Sequence, residues 1–199
     1  MKIILASGSP RRKEILSAVC KDLEIIPSGA DEISDPSLLP CELAEQNAIV
    51  KGNDVYERMK EGGRISDGTY VISADTVVEC FGEIFDKPRD RTDAEYMITS
   101  LSGTAHSVHT GYCIIRLSDG ERVSGFDSTY VTFTELDPSD VAYIIENDNP
   151  YDKAGGYAIQ GAAAPFICGI TGCYNNVVGF PLQAVRAAML ENFGVKIEE

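Results

Sequence analysis

At 199 residues, 44% of them hydrophobic, the chain can bury a substantial core as one domain or two intimate lobes, and its formal net charge of −14 argues against a nucleic-acid backbone or an anionic membrane surface as partner. A small polyanion is compatible with that charge only where a few cations, helix N-termini or a bound metal converge. The opening apolar run, Ile3 to Ala6, is too short for a signal peptide or a membrane span, so a cytoplasmic address is expected, and Cys20, Cys41, Cys80, Cys113, Cys168 and Cys173, with no CxxC pair, are expected to be reduced thiols.

In chain order, Lys2 to Ala6 reads as a strand, followed by a Ser-Gly-Ser turn and a helix opening at Pro10, a residue favoured at the first helical position. Leu23 to Pro27 reads as a second short strand, and a polar loop from Ser28 to Pro40 carries Asp31 and Glu32. Cys41 to about Lys60 has helical periodicity and stops at Gly62-Gly63. Tyr70 to Val78 is rich in β-branched residues and reads as a central strand, interrupted by Ser73 and Asp75. Thr92-Asp93-Ala94-Glu95 has capping-box spacing, so a helix is expected from there to about Ser100. Asp119-Gly120 marks a hairpin between Val108 to Leu117 and Glu121 to Thr134. A short helix is expected from Pro138 to about Glu146, a glycine-rich loop over Gly155 to Gly161, strands over Phe166 to Ile170 and Asn176 to Phe180, and a terminal helix from Pro181 to near Gly194.

Three constellations could carry chemistry. In Ser7-Gly8-Ser9-Pro10-Arg11-Arg12, free backbone N–H groups, the positive helix end, two hydroxyls and two guanidinium groups would meet at one point, as an anion site requires. The alternative is that Ser9 merely caps the helix and both arginines are solvated. Asp75, in the middle of a central strand, must be paired or hold a cation, and Lys87, twelve positions on after a turn, could return to it. This leaves two readings, a structural ion pair or a metal ligand and general base with a phosphate clamp. In Asp152 to Gly161 the glycines permit close backbone approach, and the Gln160 amide offers a donor and an acceptor that match the N3–H and a carbonyl of uracil or thymine; a plain turn with Gln160 bonded to backbone is the other reading. His106 and His109, three apart in a strand-like run, face opposite ways and are disfavoured as joint metal ligands, and no cysteine sits at a recognisable activated position for a Cys/His nucleophile.

Taken in order, Leu5 to Arg12, Ala74 to Val78, Lys87-Pro88-Arg89, Leu101 to His106, Asp152 to Gly161 and Asn176 to Leu182 resemble the Maf, or septum-formation, family over nearly the whole chain. The resemblance implies a single domain spanning 1–199, an α/β fold like that of the inosine triphosphate pyrophosphatases, with an elongated mixed sheet, flanking helices and two lobes around a central cleft. It implies a pyrophosphatase that splits a nucleoside triphosphate into the monophosphate and pyrophosphate, with Asp75 as the water-activating carboxylate, Glu32 as its partner on a divalent metal, Mg²⁺ or Mn²⁺, and Lys87, Ser7 and Arg11 as phosphate contacts. Arg12, Thr76 and Gln160 match positions that tune base selectivity, and Ala158-Ile159-Gln160-Gly161 is similar to the dTTP/UTP subgroup rather than the one preferring 7-methyl-GTP. Other readings are a non-catalytic nucleotide-binding regulator of cell division and a pyrophosphatase for methylated guanine nucleotides. A homodimer is an expectation from the resemblance alone. The family commonly carries a lysine in an L-A-x-x-K-A pattern where this chain has Asn47; Lys51, one helical turn on, is the candidate to restore the cation.

Overall fold

A computed structural model describes residues 1–197. Its elements run β1 (Lys2–Leu5), α1 (Pro10–Ser17), β2 (Leu23–Ile25), α2 (Pro40–Glu61), β3 (Thr69–Cys80), β4 (Glu83–Phe85), α3 (Arg91–Leu101), β5 (Ala105–Arg116), β6 (Arg122–Phe133), α4 (Pro138–Asn147), β7 (Ile167–Thr171), α5 (Tyr174–Val178) and α6 (Leu182–Phe193), with short 3-10 turns between α4 and β7. The strands form one seven-stranded mixed sheet in the order β2-β1-β3-β5-β6-β7, with β4 added antiparallel to β3. β1 pairs in parallel with both β2 and β3, and β6 with β7 antiparallel. The fold is therefore the mixed α/β class expected from the sequence.

Two compact units partition the chain, one made of Met1–Asp75, Thr110–Asp127 and Gly179–Glu199, the other of Thr76–His109 and Ser128–Val178. In the first, period-two alternation gives the sheet two apolar faces. Ile3, Leu5, Ile72 and Ile114 pack with Leu16 of α1 and with Val185 and Met189 of α6. Ile4, Val71, Cys113 and Ile115 point the other way and pack with Ala48, Val55 and Met59 of α2. Each fully buried aliphatic side chain there contributes about 1.5–3 kcal/mol of transfer free energy, so the two clusters fix which face of β3 meets α2. Counting by twos from Val71, Ser73 and Asp75 fall on that face.

In the second unit, Ala94, Ile98 and Leu101 of α3, Val141 and Ile144 of α4, and Val78, Val108, Val131 and Phe133 of the sheet share one core with Tyr157. His106 is buried in it and hydrogen-bonds the Tyr157 hydroxyl through Nε2 at 2.6 Å.

Three local expectations need correction. The segment read as a strand over Asn176 to Phe180 is the helical turn α5, because the buried Asn176 amide donates to the Val108 carbonyl and to Thr129 Oγ1, a tertiary anchor that overrides the β-propensity of Val177-Val178. The cap of α3 is Asp90, whose side chain accepts from the Asp93 N–H, so the helix opens at Arg91, ahead of the Thr92 capping box. Glu83–Phe85, where only a turn before Lys87 is expected, is a hairpin partner of β3.

Candidate active site

The first unit assembles its polar residues on the α2 side of β3. The helix comes close because glycines let it. A side chain on Gly111 of β5 would place its Cβ 2.3 Å from the Ala44 carbonyl carbon and oxygen, and one on Gly52 would place it 2.8 Å from Ser73 Oγ. Ser73 uses the proximity to donate to the Ala48 carbonyl at 2.6 Å, bonding strand to helix. On that pinned helix, Lys51 lies over Asp75.

Asp75 is only 7% exposed, so its charge demands compensation. Lys51 supplies it, with Nζ 2.5 Å from Asp75 Oδ1 and 2.6 Å from Glu32 Oε1. Lys51 is thus a lysine bonded to this aspartate. Glu32 belongs to the extended segment between β2 and α2, and Asn47 anchors that segment: its Oδ1 accepts from the Ile33 N–H at 2.6 Å and its Nδ2 donates to the Ile33 carbonyl. Asp54 assists by accepting from the Ser28 hydroxyl and the Gly29 N–H, both at 2.9 Å. Asn47 is therefore a buried amide that clamps the backbone beside Glu32, and Lys51, one helical turn later, carries the cation bonded to Glu32 and Asp75.

The turn from β1 to α1 completes the cluster. Ser9 caps α1 by accepting from the Arg12 N–H, and Ser7 Oγ accepts from the Ser9 N–H. Arg12 is held by side-chain bonds, Nε to the Gly179 carbonyl at 2.7 Å and a terminal nitrogen to Ser7 Oγ at 3.2 Å. Burial lowers its pKa; Asp75 and Glu32 pull it upward and Arg11 pushes it down, which places Arg12 in electrostatic reach of the carboxylate pair and of its neighbouring guanidinium. Ser9 does cap the helix, then, but Arg12 is a fixed cation and not a solvated one. Ser7, Arg12, Glu32, Lys51 and Asp75 meet in one unit, with Arg11 half-buried beside them.

Asp75 and Glu32 suit a divalent ion. Both bind the same small cation, so their oxygens are separated by no more than the two ammonium distances together, and hard carboxylate oxygens favour Mg²⁺ or Mn²⁺ over zinc. Among the described residues no group of three or more His, Cys, Asp or Glu side chains is gathered for a metal. Two protein carboxylates with water and phosphate oxygens completing the shell is the arrangement Mg²⁺ ordinarily accepts.

The second unit holds the other predicted residues. Lys87 is exposed after β4, and the Gly155 N–H donates to the Asp86 carbonyl, which sets the Asp152–Gly161 segment beside it. Gln160 is exposed and its side chain makes no hydrogen bond among the described residues, against the reading in which it serves only to tie a turn. Thr76 follows Asp75 in β3 and is half-buried. Sequence reasoning did not foresee Lys153, a buried lysine whose ammonium contacts Asp148 and Asp152 and donates to the Asn149 carbonyl; its only signal was its place among the apolar and glycine residues of the motif.

The remaining nucleophile candidates fare poorly. The six cysteines are free thiols, and burial pushes the Cys113 thiol up to about 12, far from a thiolate at neutral pH. His106 and His109 make separate contacts, with Tyr157 and Ser128.

A Ser-Gly-Ser turn feeding a helix N-terminus, two guanidinium groups and a carboxylate pair around a cation, on an α/β sheet, define the class as a protein that handles a phosphorylated anion together with cations. The chain belongs to the family described as Maf-like protein, which it matches over residues 2–193. It is 39% identical to a dTTP/UTP pyrophosphatase of Clostridium perfringens strain 13, over 99% of this chain and all of that protein. A dTTP/UTP pyrophosphatase of Ruminiclostridium cellulolyticum is 40% identical over 98% of this chain and 97% of that protein, and one of Thermococcus gammatolerans is 43% identical over 92% of each. Among the described residues no helix is long and apolar enough to cross a membrane.

Proposed function

We propose that this chain is a nucleoside triphosphate pyrophosphatase that hydrolyses dTTP and UTP to the monophosphate and pyrophosphate. Its full-length similarity to proteins of that name supports the reading, and the observation that carries it at the level of chemistry is Asp75, a nearly buried carboxylate joined to Glu32 through one cation beside the Ser7–Arg12 turn.

Attack on an α-phosphoryl group requires an aligned water, a base for its proton and neutralisation of the charge on the departing pyrophosphate. Asp75 accepts the proton from the attacking water. Arg12, fixed by Ser7 and Gly179, and Arg11 at the N-terminal end of α1 hold phosphate oxygens, and the electrostatic gain is larger in a partly desolvated site than in water. Lys87 is the further phosphate contact. A divalent ion held by Asp75 and Glu32 would supply charge neutralisation and orient the water. Gln160 reads the pyrimidine edge, its amide pairing with the ring N3–H and a carbonyl, with Thr76 contributing to base choice.

The test is pyrophosphate release from a panel of nucleoside triphosphates with Mg²⁺ or Mn²⁺. Turnover of dTTP and UTP that falls by about 10²–10⁴ in Asp75→Asn is the expected result. Turnover confined to a purine nucleotide would refute the assignment to Gln160, and nucleotide binding without turnover would refute the enzymatic reading.

A further inference from the structure

The ammonium of Lys51 lies between the two carboxylates that would hold a divalent ion. It contacts Asp75 Oδ1 at 2.5 Å and Glu32 Oε1 at 2.6 Å, and its side chain is largely buried. A divalent ion held by the same oxygens could not share the position with an ammonium.

From this arrangement we infer that Lys51 is an exchangeable internal cation: it neutralises Asp75 and Glu32 when no metal is bound, and it leaves them for a phosphate oxygen of the nucleotide when a divalent ion takes its place. The inference rests on the proposed function for the identity of the nucleotide, but the competition between lysine and metal follows from the geometry alone.

Charge accounting favours exchange over simple addition. Two carboxylates with Lys51 and Arg12 make a neutral set, so a free divalent ion meets two cations as well as two anions and binds weakly. A metal–triphosphate complex brings its own negative charge, on which the displaced ammonium finds a new partner. The motion asked of the protein is small. α2 is held to the strand through Ser73 and Ala48 and to the Glu32 segment through Asn47, so only the four-carbon stem of Lys51 has to swing. Asn47 contributes by being neutral: a lysine at that buried position would not clamp the Ile33 N–H as an acceptor.

The measurement is Mn²⁺ binding to the nucleotide-free protein, followed by electron paramagnetic resonance of the free ion, for wild type, Lys51→Met and Lys51→Arg. Removing the competing cation should tighten Mn²⁺ binding by roughly tenfold or more at low ionic strength, with Lys51→Arg remaining near wild type. Lys51→Met leaves two carboxylates without their counter-cation, so its melting temperature is measured with and without Mn²⁺; a larger rise on adding Mn²⁺ than in wild type is expected, and Lys51→Gln provides a second neutral variant if the methionine variant does not fold. Equal or weaker Mn²⁺ binding by the neutral variants, or no Mn²⁺ binding by any of the proteins, overturns the exchange. dTTP turnover is followed in the same preparations. Wild type that turns over dTTP while the affinities are equal refutes the exchange alone, and tighter Mn²⁺ binding by Lys51→Met together with no dTTP turnover by wild type refutes the functional reading alone.

Discussion

His106 should make the stability of this protein depend on pH in a predictable direction. The imidazole is 2% exposed, its Nε2 is committed to the Tyr157 hydroxyl, and its Nδ1 has no hydrogen-bond partner among the described residues. Protonation would bury a cation with an unpaired N–H, and burial accordingly lowers the pKa from 6.5 to about 4. The unfolded chain binds the proton first as pH falls. Stability is therefore unaffected by this group above about pH 6.5, declines between about 6.5 and 4, and loses nothing more below that. At 1.36 kcal/mol per pH unit the full loss is about 3 kcal/mol. The assay is urea denaturation at several pH values from 7.5 to 4.5, comparing wild type with His106→Gln. The glutamine variant starts less stable because the packing and the Tyr157 bond change, but its stability should fall less steeply on acidification. Subtracting the two curves removes other titrating groups, including His109, whose pKa burial also lowers. Parallel curves through pH 6.5 to 4.5 would refute the reasoning, as would an NMR titration placing His106 near 6.5 in the folded protein.

Lys153→Met should destabilise by about 3–5 kcal/mol, since it leaves Asp148 charged and largely buried without its partner; adding Asp148→Asn should recover much of the loss, and a double-mutant cycle in urea checks this. Gly111→Ala should cost about 1–3 kcal/mol or more by pushing α2 off β5, and dTTP turnover should drop with it because α2 carries Lys51; unchanged turnover at reduced melting temperature would separate the helix position from the chemistry. Asn47→Leu removes the acceptor of the Ile33 N–H and should cost about 1–3 kcal/mol, with limited proteolysis accelerating in the segment that carries Glu32.

Much of the site was legible because its logic is local. Pro10 at the first helical position and Ser9 as cap could be read from residue type, and period-two alternation placed Asp75 on the face of a buried strand, where a carboxylate must find a cation. What local pattern cannot supply is the partner. Twenty-four residues separate Asp75 from Lys51, too far for local pattern to pair them; the decisive facts are Gly111 and Gly52, which let α2 descend onto the strand. The missed elements have the same origin. α5 exists because the buried Asn176 amide finds the Val108 carbonyl across the unit, and β4 because Phe81 and Gly82 both adopt positive φ at a tight turn, a conformation that Phe81, 83% exposed, gave no reason to expect. Asn47 and Lys51 show how the two kinds of information combine. A cation can move one helical turn along α2 and still reach the same carboxylates, since residues four apart share a helix face. With Lys51 supplying the charge, Asn47 holds the Glu32 segment by hydrogen bonds, so two tasks, anchoring the backbone and supplying the charge, fall to adjacent turns of one helix.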